Sequence, residues 1–173
     1  AIIRTKTSEP LPKPFVRLAG RKESLLFGAN VTAVGFGVND NYISDDLFYP
    51  PPRLFEVDLT VGQPGVMPCP PRMMDVQEDK EVCLVGGWFY QNPGRALRPE
   101  PDPDFGVGLK SMCSGDSGGP VYSRGKQFGI AARVLDIDLC RKFALNPYTV
   151  CTLVSAHRRD FIDPIVAANP FDG

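Results

Sequence analysis

The sequence predicts an all-β domain, a barrel or a sandwich, with one late helix. Three observations predict it. Proline (18) and glycine (17) are spread through all 173 residues. Short apolar, β-branched runs recur between these turn signals. Helical periodicity is almost absent before residue 155.

The runs come in a regular order. They are "NVTAVGFGV" (30–38), "RLFEVDLTV" (53–61), "KEVCLVGG" (80–87), "GPVYS" (119–123), "QFGIAARVL" (127–135) and "TVCTLVS" (149–155). The second alternates cleanly: Phe55, Val57, Leu59 and Val61 face one way, and Leu54, Glu56, Asp58 and Thr60 the other. After the last run, Asp163 is placed to cap a helix, with Pro164 at its first position ahead of "IVAAN". The runs lie within 28–155, with 1–27 before them and a C-terminal helix and tail over 156–173 after them. Between the runs, 86–110 is rich in Pro, Gly and aromatics and too long for a hairpin. Loops of that length are usually functional or disordered.

Composition narrows the function classes. Hydrophobic residues make up 43% of the chain, enough for a packed core. Net charge is −1 and no basic stripe is present, so nucleic acid is not an expected partner. No apolar run approaches the roughly 18 residues that cross a membrane, so no membrane association is expected. "AIIRTKTSEP" lacks the features of a signal peptide, so a secreted protein is expected to be seen here in its mature form. Asp45–Asp46 and "PEPDPD" (99–104) read as solvated loop charges, and no metal or cofactor is expected. Five cysteines suit either two bridges and one left over, or five reduced thiols in the cytosol.

The chemistry sits in "SMCSGDSGGPV" (111–121). A nucleophilic serine needs a sharp turn, an exposed hydroxyl, and backbone N–H groups aimed at the oxygen that becomes negative. Glycines beside it allow that backbone and let substrate approach. Ser117 is the candidate nucleophile, Gly115 and Ser117 the candidate oxyanion donors, and Asp116 an anchor for the loop. A Gly-rich hairpin that merely contains serine is the bland alternative.

This segment resembles the nucleophile region of chymotrypsin-like serine proteases. "PFVRLAG" (14–20) is similar to the linker between the two barrels of that family. "VTAVGFG" (31–37) resembles the strand opening the second barrel, and "HRRDFIDPIVAAN" its C-terminal helix. "AIIRTKT" resembles the strand that directly follows the catalytic aspartate.

The resemblance therefore implies the second half of such a protease: a six-stranded Greek-key barrel over 28–155, with an inter-barrel strand and linker over 1–27 before it and a short C-terminal helix after it. It implies bridges Cys69–Cys83 and Cys113–Cys140. Cys151 is left either to bridge to another chain or to stay a buried free thiol. Ser111, six residues before the nucleophile, is implied as the floor of the primary pocket. Being uncharged, it argues against a preference for Arg or Lys and leaves chymotrypsin-like and elastase-like pockets. Met112, Ser114, Ala132, Arg133 and Val134 are implied around the substrate, Val134 narrowing the pocket and Arg133 attracting acidic residues.

Catalysis would still need a histidine base and an orienting carboxylate. The chain has one histidine, His157, which the resemblance assigns to the helix, away from the serine. The expectation is a two-chain, secreted endopeptidase whose N-terminal chain brings the His and Asp. Asp116 would then pair with the new N-terminus of that chain. Protein or peptide substrates and an inhibitor are the expected partners. The alternative is an inactive homologue used for binding, which the intact "GDSGGP" disfavours. Lastly, "NVT" at 30–32 fits the N-glycosylation pattern at Asn30, although a place at the start of a strand argues for burial.

Overall fold

The structure is a computed structural model. It describes residues 15–37, 43–44, 47–48, 53–63, 69, 76–77, 79–86, 111–134 and 148–169. The predicted runs become β2 (Asn30–Gly35), β5 (Phe55–Val61), β6 (Glu81–Val85), β7 (Pro120–Ser123), β8 (Lys126–Val134) and β9 (Tyr148–Leu153). Their order is β8-β7-β2-β5-β6-β9, and β9 pairs back onto β8. The six strands therefore close an antiparallel barrel and leave no open edge between them. Outside it, β1 (Arg17–Leu18) lies parallel to the start of β8. A separate ribbon pairs β3 (Ile43–Ser44) with β4 (Leu47–Phe48).

Alternation decides what the barrel encloses. On β5 only the expected inward set is buried: Leu59 and Val61 are 2% and 3% exposed, while Glu56 and Asp58 are exposed. Val31, Ala33, Leu84, Val121, Phe128 and Leu153 complete the interior. Phe128 is the largest fully buried side chain among the described residues, a burial worth about 2–3 kcal/mol against leaving it in water. The β7–β8 hairpin turns through Arg124 and Gly125, at φ 49° and 70°. Two left-handed residues in a row match the twist of the flanking strands.

The helix differs from its expected start. It begins at Val154 as α1 (Val154–His157), passes through a π-helical turn (Arg158–Ile162), and continues as α2 (Asp163–Ala168). Asp163 is not a cap: its φ and ψ are −65° and −39°, and its N–H donates to the Arg158 carbonyl. Pro164 explains the widened turn, since it has no N–H for the fourth carbonyl back and its ring would crowd that carbonyl. The Asp163 carboxylate instead bridges Arg21 (2.7 Å) and Arg158 (2.8 Å), tying the linker to the helix. Arg21 first, then Arg158, holds that carboxyl below its ordinary pKa.

Candidate active site

The loop 111–119 joins the barrel through β7. Gly115 and Gly118 sit at φ 99° and 85°, where a side chain would be strained. The Asp116 side chain turns inward. Its Oδ1 accepts the Gly37 N–H at 2.7 Å and its Oδ2 accepts the Cys113 N–H at 2.9 Å. A Cβ on Gly35 or Gly37 would collide with this carboxylate, so the "GFG" spacing leaves room for it. Gly119 is held as tightly: a Cβ there would lie 2.6 Å from the Val34 carbonyl.

The backbone of the loop is divided in use. The N–H groups of Asp116, Gly118 and Gly119 donate to Cys113, Ala131 and Asp116 at 2.8–3.0 Å. Those of Gly115 and Ser117 donate to no described residue. Ser117 is exposed, and its hydroxyl makes no hydrogen bond among the described residues. The expected nucleophile and the two expected oxyanion donors are therefore unengaged among the described residues, on a loop whose Asp116 carboxylate and Gly118 and Gly119 N–H groups are all bonded.

A cleft of about 180 Å³ opens on the Asp116 side of this loop, between it and strands β2 and β5. Ala33, Val34, Phe55, Val57 and Met112 supply apolar wall, and Asp116 supplies a carboxylate. Ser111 also lines it, its hydroxyl donating to the Met112 carbonyl at 2.9 Å. Met112 departs from its expected substrate-facing role. It is 1% exposed and packs with the barrel core, where an apolar thioether is better placed than in solvent.

The other expected substrate contacts lie on β8. The strand bulges between Ala131 and Arg133, so Ala132 has no partner in the ladder with β9. Arg133 does not reach out as a free cation. Its guanidinium takes Glu81 in a bidentate pair, 2.7 Å to Oε1 and 3.0 Å to Oε2. The charge expected to attract acidic substrate residues is thus committed across β9. Arg133 is the main cause holding the Glu81 carboxyl below its ordinary pKa; the Gln77 N–H and His157 add to it, while burial opposes. His157 lies at the end of α1, and no described contact joins it to Ser117. Glu81 carried no cue in the sequence. Val134 pairs with Thr149, and its side chain, like residues 87–110, lies outside the described residues. Ser114 is half-buried within the loop.

Cys69 and Cys83 are bridged. Cys113 is also in a disulfide; Cys140 lies outside the described residues. Cys151 is a free, fully buried thiol facing the barrel interior, and a Cβ on Gly129 would collide with its sulfur. That burial is the second of the two expected alternatives, the free thiol, and it gives a bridge to another chain no exposed sulfur to use. The same burial pushes its pKa up to about 12. Among the described residues no cluster could hold a metal ion, and no helix is long and apolar enough to cross a membrane.

Solved structures share this architecture. A mutant of human heparin binding protein (CAP37) matches 92% of this chain and 52% of its own, at 19% identity and TM-score 0.55. Neuropsin, a serine protease expressed in the limbic system of mouse brain, matches 89% and 54%, at 20% identity and TM-score 0.56. No protein-family model and no curated protein matches the chain. The fold is that of a chymotrypsin-like serine protease, and the chain forms one barrel of it with the C-terminal helix. It spans about half the length of the two structures named.

Proposed function

We propose that this chain is the catalytic-serine half of a secreted serine endopeptidase. The observation that carries the reading is the contrast within one loop. Ser117 is exposed and the N–H groups of Gly115 and Ser117 are unengaged, while Asp116 is bound on both oxygens. In this reading Ser117 Oγ attacks the scissile carbonyl and passes its proton to a histidine of the partner half. The two N–H groups stabilise the tetrahedral oxyanion, the amine leaves, and water releases the acyl group. The partner half also supplies the orienting aspartate. The cleft beside Asp116 suits its N-terminus: aliphatic side chain against Val57 and Met112, ammonium at the carboxylate. The uncharged Ser111 disfavours cleavage after Arg or Lys.

A binding protein on the same fold is the second reading. What favours it is that no described residue offers Ser117 a base. A serine-reactive fluorophosphonate separates the two. The chain alone should label slowly, and the chain assembled with its His- and Asp-bearing partner rapidly at Ser117. An assembled complex that stays unlabelled removes the enzyme reading. Non-reducing mass analysis of the native protein identifies the partner.

A further inference from the structure

We propose that Asn30 carries an N-linked glycan, at the end of β2 remote from the nucleophile loop. The proposal rests on the secretory part of the preceding reading and is independent of catalysis. "NVT" at 30–32 is the only Asn-x-Ser/Thr triplet in the chain. The structure removes the objection that a strand start is buried. Val31 and Ala33 take the inward positions, at 2% and 1% exposure, so the pleat turns Asn30 outward, where it is exposed.

The surroundings suit a sugar. Thr32 donates to Asp58 Oδ1 at 2.8 Å, and Ser123 donates to the Asn30 carbonyl at 2.8 Å. Thr60 approaches Asn30 Oδ1 at 3.5 Å. These are short polar side chains that leave the amide uncovered. Asn30 Nδ2, the atom that would carry the sugar, donates to no described residue. Five residue steps along β2 put Asn30 roughly 16 Å from Gly35, so a glycan leaves the Asp116 cleft open.

The co-reactant is a lipid-diphosphate-linked oligosaccharide. Nδ2 forms a bond to the anomeric carbon of its first sugar. The bond from that carbon to the diphosphate oxygen breaks, the lipid diphosphate leaves with the electron pair, and the transferase takes the amide proton. The acceptor pattern requires the Thr32 hydroxyl.

The test expresses the chain behind a secretory leader in a eukaryotic cell. Peptide N-glycosidase should lower its mass in one step and leave an aspartate at position 30. Asn30→Gln and Thr32→Val should abolish the step, and Thr32→Ser should keep it. A glycan on Asn30 supports the proposal whatever Ser117 labelling shows. An unmodified Asn30 in chain whose Cys69–Cys83 bridge has formed overturns it, and leaves the protease reading standing.

Discussion

Asp116 holds the Gly37 N–H at 2.7 Å across 79 positions of sequence. That bond joins the nucleophile loop to the end of β2, and the loop's shape depends on it. Asp116→Asn keeps the size but offers an amide donor where Gly37 or Cys113 already donates. We expect a loss of about 1–3 kcal/mol in urea unfolding. Labelling of Ser117 in the assembled protein should slow in parallel.

Ser117 behaves oppositely. Its side chain is exposed and unbonded among the described residues, so Ser117→Ala should shift stability by no more than about 0.5 kcal/mol. Fluorophosphonate labelling and peptide hydrolysis should disappear. A large fall in melting temperature would mean that the hydroxyl has a structural role.

Cys151 should be silent to iodoacetamide in the native state at pH 8 and react once the protein is unfolded. Its folded pKa, about 12, stands above the ordinary 9.0. The folded state therefore holds its proton where the unfolded state has lost it. Stability conferred by the neutral thiol is complete below about pH 9 and declines as pH rises towards 12. In Cys151→Ala the alkaline decline, followed by urea midpoints, should be shallower.

Glu81 gives the acid counterpart. Its folded pKa is depressed below 4.5, chiefly by Arg133. Its contribution is present above that pH and is lost as pH falls through the carboxylate range. Glu81→Gln should cost about 1 kcal/mol at pH 7, since Arg133 is partly solvated. It should also flatten the fall in urea midpoint below pH 5. An unchanged acid profile would show that the pair does not support the barrel.

Much of the fold was legible because alternation is local. Each of the six runs was marked off by turn residues, and "RLFEVDLTV" showed its inward and outward faces outright; in β6, by contrast, Cys83, Leu84 and Val85 are buried in succession, which local alternation does not show. Ser117 and the glycines around it were legible for the same reason: a tight turn with an exposed hydroxyl is written in neighbouring residues. The helix start was misread because Asp163 and Pro164 look like a beginning, whereas a π-turn absorbs the proline inside a longer helix.

The sequence by itself determined the strands, the turn at the serine and the want of a second histidine. Tertiary structure decided the partners. Arg133 meets Glu81 from 52 positions away, and Arg21 meets Asp163 from 142. Cys151 faces the interior, Met112 joins the core, and Asn30 faces water. None of these is a property of local spacing. Each follows from which strands lie side by side once the barrel has closed, because closure sets which polar groups meet and which side chains lose water.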